Sequence, residues 1–552
     1  ALLGDFTKAF YARQPEDDLL LRPAAAWAAI AQSAFAFAAT RPAGEAKVRV
    51  ATPSRDGDGS EGGYTVVQVA NDDMPFLVDS VNLVLSQRGV RANGLLHPVF
   101  PVSRDQNGRL RLIGAGTPES YIHAEIDRQG DPEAVASIEQ AVCQALADVR
   151  ASVADWEPMR ARMLAIAEEL GTRKMPATDA DRSESQEFLR WAADNHFTFL
   201  GYREYVVTER DGKRMLVAVD GSGMGLMRGK DADATPRPVR GLAAADLPPG
   251  GTMSPLILTK TNARSTVHRA GYMDYIGVLQ FDAAGRAVRE QRFLGLYTSS
   301  AYNRRPWDIP VVRERFDQVM KSSGLAESGH SGKALKHILE SLPRDELFQA
   351  DSEELMRTGM GILNLQERVR PRLFLRSDRH GRFWSALVYI PRDRFSSEIR
   401  ERIESLLMRE LQGERLDTTI QIGESPLAQL HLLIRPKSGP RVEADVAALE
   451  VELTRIVRNW HDVLRDELVA QHGEETGLRL AARFGKAMPA GYVESVSPTQ
   501  AANDVLMASS LASPADLRLS LYRSRDEALR FKLLRPGKEI ALSDALPMLE
   551  NL

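Results

Sequence analysis

Residues 64–89 read YTVVQVANDDMPFLVDSVNLVLSQRG, and the fold turns on this stretch. An apolar run from Tyr64 to Val69 has the composition of a buried strand and stops at Asn71-Asp72-Asp73. Met74-Pro75 then opens a helix in which Leu77, Val81, Val84 and Leu85 share one face, and Gly89 ends it. A strand feeding an amphipathic helix through an acidic turn predicts an α+β unit, with the helix packed back on its own sheet.

Working outward, Val48 and Val50 continue the strand periodicity upstream, and residues 1–45 form a helical segment, with Leu19, Leu20 and Leu21 before Pro23 and an Ala-rich run after it. Downstream, strands Gly94 to Val102 and Tyr121 to Ile126 flank the turn RDQNGR, and Asp131-Pro132 caps a long helix through Cys143 toward Val153. The order β-α-β-β-α is the framework of a ferredoxin-like βαββαβ domain over 46–155. Pro158 interrupts that helical stretch, and 156–184, ending in a polar segment up to Ser185, reads as a helical linker.

From 185 to 305, a helix through Phe188, Leu189 and Trp191 precedes strands at Thr198 to Val207, Met215 to Val219, Leu256 to Thr261, Tyr275 to Phe281 and Glu290 to Tyr297. That pattern predicts one antiparallel sheet with a helix. Residues 306–365 are helical in periodicity, and 366–475 repeat the earlier pattern as β-β-α-β-β-α, a second ferredoxin-like unit whose last helix spans Val442 to Val469. Residues 476–552 read as a helical connector and the start of a third unit: strands Leu517 to Arg523 and Ala528 to Leu534, then a helix capped near Ser543. The chain begins without Met and ends in this unfinished β-β-α piece, with Leu546, Met548 and Leu549 uncovered, so a fragment of something larger is expected.

At 552 residues the chain exceeds what one hydrophobic core supports. A formal charge of −4 points to no polyanion, so neither nucleic acid nor an acidic tail is indicated. The single cysteine, Cys143, gives no disulfide framework and no Cys-based zinc site within one chain, which suits a reducing, cytoplasmic setting. The longest apolar stretch, Ala24 to Ala39, is interrupted by Gln32 and Ser33 and is too short to span a membrane.

Several motifs invite chemistry. Gly221-Ser-Gly223-Met-Gly225-Leu-Met-Arg-Gly229-Lys230 follows a strand, but Leu226 stands where a dinucleotide fingerprint needs glycine, and Met224 and Asp231 break the P-loop pattern. A plain turn is the better reading. The ten histidines show no metal-site spacing, and Gly221-Ser222-Gly223 is no nucleophile elbow, so no catalytic, cofactor or metal residue is expected here. The arginine-rich segment from Arg368 to Arg382, followed by Phe383-Trp384, lacks the alternating aromatics of an RNA-recognition motif, because adjacent residues face opposite sides of a strand.

What remains is the turn itself. Exposed carboxylates beside free helix N-terminal amides suit a zwitterion: an α-amino acid's carboxylate on the amides, its ammonium on Asp72, Asp73 or Asp79. The alternative is that Asp73 simply caps the helix and Asp79 is solvated.

The strings NDDMPFLVDSV (71–81), FTFLGYREY (197–205), RPWDIPVV (305–312) and ALSDALPMLENL (541–552) resemble, in order and along essentially the whole chain, the N-terminal half of the large bacterial NAD-specific glutamate dehydrogenases. The resemblance implies ACT-type domains at 46–155 and 366–475, a PAS-like domain at 185–305, and the beginning of a third ACT-type domain after 476. It places the Rossmann domain, its NAD and the catalytic lysine further downstream. It implies a non-catalytic region that assembles a homo-oligomer, contacts its own catalytic domain and responds to amino-acid effectors. The effector-binding candidates are Asp72, Asp73, Pro75, Phe76, Val78 and Asp79. The sequence departs from many amino-acid-binding ACT turns in having Phe76 where glycine lets a ligand approach the backbone, so an architectural role is the competing reading. A stand-alone ACT/PAS sensor or scaffold is the rival for the chain as a whole.

Overall fold

The computed structural model describes all residues except 1, 53–62, 174, 211–212, 230–236, 239–253, 366–369, 379–380, 438–442, 524–528, 538–539, 541–545 and 547–552. The turn at 55–62, the segment from Lys230 to 236, the expected helix start at Val442, and the helix cap at Ser543 with Met548 and Leu549 lie outside the described residues. Two compact units emerge, residues 1–363 with 378–382, and residues 364–377 with 383–552.

The first unit opens with helices α1 (Leu2–Tyr11), α2 (Glu16–Leu19) and α3 (Ala24–Ala38), followed by β1 (Lys47–Ala51), β2 (Tyr64–Asp72), α4 (Leu77–Gln87), β3 (Ala92–Leu96), β4 (Val99–Arg104), β5 (Leu110–Ile113), β6 (Thr117–Asp127) and α5 (Pro132–Ala154). The strands form one antiparallel sheet in the order β1-β2-β6-β4-β5, and β3 also pairs with β6. The expected strand from Gly94 to Val102 is two strands: Pro98 lacks the N–H that a continuous ladder needs, and the chain breaks there. The turn RDQNGR joins β4 to β5, a strand that sequence periodicity did not reveal.

The strand outside β2 is β1, which precedes it, where a βαββαβ order calls for a strand after the second helix. No strand follows α5, because the chain passes at Asp155 directly into α6 (Trp156–Thr172). The break lies at Asp155 and not at Pro158, which sits in the first turn of α6, where its missing N–H costs nothing.

Alternation along the strands divides two cores. Val67 and Val69 of β2 and Ile122, Ala124 and Ile126 of β6 face α4 and α5, while Ala70 and Tyr121 face Phe6, Phe10 and Phe37 of α1 and α3. The N-terminal helices therefore cover the far side of the first sheet.

Next come α7 (Asp179–Trp191), capped by Thr178 within the segment read as a linker, then β7 (Phe197–Arg210), β8 (Lys213–Ala218), β9 (Met224–Gly225), β10 (Arg237–Pro238), β11 (Leu256–Arg264), β12 (Tyr272–Phe281) and β13 (Ala287–Tyr297). They make an antiparallel sheet ordered β10-β8-β7-β13-β12-β11, with β9 on β7. Leu200, Val267, Met273, Leu294 and Leu296 of this region join the same core as α4 and α5, so those helices are covered on both sides. Helices α8 (Ser299–Asn303), α9 (Val312–Ser322), α10 (His330–Ser341), α11 (Arg344–Gln349) and α12 (Ser352–Leu363) complete the unit. Buried Lys260 ties α11 to the sheet, with Nζ 2.6 Å from Asp274 Oδ1 and 3.2 Å from Asp345 Oδ1.

The second unit repeats the first arrangement. Strands β14 (Arg372–Ser377) and β15 (Trp384–Pro391), helix α13 (Ser397–Glu410), strands β16 (Gly413–Gln421) and β17 (Leu427–Pro436), and helix α14 (Val446–Val457) give the sheet order β14-β15-β17-β16, again with the extra strand first. The single helix expected through Val469 is two: Asn459 starts α15 (Trp460–His472) with a reciprocal cap, its side chain on the Asp462 N–H and the Asp462 carboxylate on its own N–H. Helices α16 (Glu474–Phe484), α17 (Ala490–Ser495) and α18 (Pro498–Ser509) follow, and β18 (Arg518–Arg523) pairs with β19 (Leu529–Leu534).

Candidate functional site at the turn after the second strand

Asp72 ends β2, and both its carboxylate oxygens are engaged: Oδ1 accepts from Arg41 Nη2 at 2.6 Å and Oδ2 from Arg150 Nη1 at 2.8 Å. Arg41 also donates to Glu119 Oε1 at 2.7 Å, Arg104 grips Glu119 at 2.7 and 2.8 Å, and the Tyr121 hydroxyl donates to Glu119 Oε2 at 2.6 Å. Burial alone would raise the Asp72 and Glu119 carboxyls, but the guanidinium hydrogen bonds outweigh it and hold both below the usual carboxylate range. Asp72 is therefore an internal ion-pair residue, a role the sequence conceals because Arg41 and Arg150 are remote from it in the chain.

Asp73 is exposed, and its backbone N–H donates to Pro118 O at 3.1 Å. It does not cap the helix. The N-cap of α4 is Phe76, with no side-chain cap and with φ of 73°, in the left-handed region that favours glycine. The position thus keeps the glycine conformation while carrying a phenyl ring. Pro75 is exposed, and Val78 and Phe76 pack at the edge of the core.

The ring of Phe76 meets His268, with centroids 4.8 Å apart and planes at 42°. His268 lies in the loop between β11 and β12 and is itself left-handed, with φ of 70°. Its Nδ1 is 2.9 Å from Asp79 Oδ2, and its backbone N–H donates to the buried Ser80 Oγ at 3.0 Å. The loop is pre-formed: Ser265 Oγ donates to Val267 O and accepts the Val267 N–H, and the Ser265 N–H closes onto Gly271 O at 2.8 Å. Val267 is fully buried, and Thr266 Oγ1 donates to Asp148 Oδ2 on α5 at 2.6 Å. The structure thus brings Phe76, Asp79 and Ser80 together with His268, and turns Asp72 toward the arginines instead.

The glycine-rich segment meets an anion, but one from its own chain. The Gly225 N–H donates to Asp155 Oδ2 at 2.7 Å, and Arg228 donates to the same carboxylate. A Cβ at Gly225 would lie 2.3 Å from Leu200 O, so this glycine permits β9 to approach β7. Ser222 Oγ is spent on Val219 O and the Glu204 N–H. Among the described residues no group of three or more His, Cys, Asp or Glu side chains could hold a metal ion. No described helix is long and apolar enough to cross a membrane.

Comparison with known proteins fits this architecture. The description "Glutamate dehydrogenase, ACT1 domain" matches residues 6–142, ACT2 matches 372–461 and ACT3 matches 516–552; helical motifs 1 and 2 of the same enzymes match 309–368 and 467–511. The NAD-specific glutamate dehydrogenase of Halomonas elongata is 38% identical over all of this chain and 35% of its own length. That of Pseudomonas aeruginosa is 37% identical over 92% of this chain and 32% of its own length; that of Mycobacterium tuberculosis is 30% identical over 93% and 31%. Repeated ACT domains joined by helical motifs define the class as a multidomain protein of the glutamate dehydrogenase type. The chain belongs to the family of NAD-specific glutamate dehydrogenases and spans about a third of the length of these relatives.

Proposed function

We propose that this chain is the N-terminal, non-catalytic regulatory and oligomerisation region of an NAD-specific glutamate dehydrogenase. The whole enzyme oxidises L-glutamate with NAD and water to 2-oxoglutarate, ammonia and NADH, in the cytoplasm and as a homo-oligomer. The carrying observation is that five domain descriptions from these enzymes fall along the chain in order, none of them a dehydrogenase domain. NAD and the catalytic lysine belong to a downstream catalytic domain, which this region contacts. The sheet from β7 to β13 serves as a PAS-like domain, and the ACT units are ferredoxin-like sheets with the outer strand supplied first.

The regulatory ligand is an α-amino acid at the turn after β2, and the supporting feature is the left-handed Phe76 beside the Asp79 carboxylate at the start of α4. Glutamate-dependent NADH production should be absent from this chain alone and present in the full-length enzyme, where amino acids shift it. Activity of the 552-residue chain by itself would overturn the reading.

A further inference from the structure

The turn that resembles an effector site is already filled from within. Asp72 is already paired with two cations and offers an incoming ammonium little, because a guanidinium group donates to each of its oxygens. Asp79 faces a single ring nitrogen, that of His268, and both side chains are partly open to solvent, at 53% and 35% exposure. We propose that the β11–β12 loop is a gate carrying its own occupant: His268 holds the place at Asp79 that the ammonium group of an α-amino acid takes, and the loop must leave before the amino acid binds. This rests on the regulatory reading above and adds the control of that site.

Three features carry the inference. The imidazole meets one oxygen of the carboxylate with one nitrogen, at a distance that an ammonium N–H also takes. Its ring packs against that of Phe76, tilted by 42°, at the left-handed start of α4. The closed arrangement also holds two non-glycine residues, Phe76 and His268, in left-handed backbone against each other. Such conformations cost free energy and persist only where their surroundings impose them, so the closed loop carries strain at the contact itself. Opening gives up the His268 N–H on Ser80 Oγ, Thr266 on Asp148, Arg269 on Tyr297 O and the Val267 side chain in the core, so the binding of the amino acid must offset these contacts.

The test is calorimetric titration of L-glutamate, L-aspartate and L-arginine into the full 552-residue chain, as wild type, His268→Gly and His268→Gly/Asp79→Asn. Glycine is at ease at φ of 70°, so the first variant removes the imidazole without straining the loop. His268→Asn, another residue that tolerates left-handed backbone, serves as the independent second variant. The proposal expects at least one amino acid to bind tenfold or more tighter to both single variants than to wild type, with the gain lost in the double variant. Equal affinity in wild type and the two His268 variants, abolished in the double variant, would leave the turn as a site and overturn the gate. A gain that survives Asp79→Asn would place binding elsewhere and overturn it too. No heat with any variant would overturn both the gate and the effector reading of the turn.

Discussion

His268 Nδ1 lies 2.9 Å from Asp79 Oδ2, joining two residues 189 apart in sequence, one in the β11–β12 loop and one on α4. The pair closes a contact in which the helix start after β2 meets a loop of the second sheet, and it turns an exposed-looking acidic turn into an intramolecular interface. Stability, acid response and loop dynamics of the first unit all depend on how that interface and the ion pairs behind it are built.

Phe76 is the first point of leverage. Alanine at this position keeps the left-handed penalty while losing the ring contact with His268; glycine loses the same contact but removes the penalty. Phe76→Gly should therefore be more stable than Phe76→Ala by about 1 kcal/mol in denaturant unfolding of the first unit. The reverse order would show that the left-handed backbone is not maintained in solution.

Glu119 and Asp72 separate a buried from a half-buried carboxylate in one network. Glu119 is 2% exposed and neutralises Arg41 and Arg104, so Glu119→Gln should destabilise the unit by about 3–5 kcal/mol. Asp72, at 28% exposure, should cost only about 1–2 kcal/mol as Asp72→Asn, because water reaches Arg150 and the buried Arg41 keeps its pairing with Glu119. Equal losses from chemical denaturation curves would contradict this division.

Much of the frame behind these residues was legible in the sequence. Tyr64 to Val69, the helix face of Leu77, Val81 and Leu85, and the β-β-α-β-β-α order from β14 to α14 announced themselves because periodicity is local. The split at Pro98 and the new helix start at Asn459 needed attention to single residues inside otherwise smooth patterns. His268, Arg41 and Arg150 were invisible as site residues: their partners lie far away in the chain, and no spacing rule links a histidine in a β-hairpin loop to a helix start in another sheet.

Acid should weaken the first unit in a traceable way. Burial alone would raise the Glu125 carboxyl, but hydrogen bonding with Arg22 and then His123 pulls it down to about 2. Its folded value lies below the unfolded value of about 4.3, so its stabilising contribution is complete above that pH and is lost as pH falls toward about 2. Glu125→Gln should start less stable at pH 6 and lose less between pH 5 and 2 than wild type in denaturant midpoints. Parallel curves for the two proteins would sink the assignment.

Two glycines of one motif should differ sharply. Gly225→Ala forces a Cβ to 2.3 Å from Leu200 O and should cost roughly 3 kcal/mol by overpacking and breaking the β9–β7 contact. Gly229 has a similar φ but open space, so Gly229→Ala should cost only about 1 kcal/mol. Thermal unfolding of both variants, with added phosphate giving no protection, checks that the segment is a docking turn.

The most direct measurement of the account is hydrogen exchange in the loop at 265–271, in wild type and in Asp79→Ala. A loop that fills the turn exchanges slowly in wild type and at least tenfold faster in Asp79→Ala, while the central residues of β12 stay unchanged. Exchange of that loop at exposed-peptide rates in wild type would contradict the claim that His268 occupies the turn.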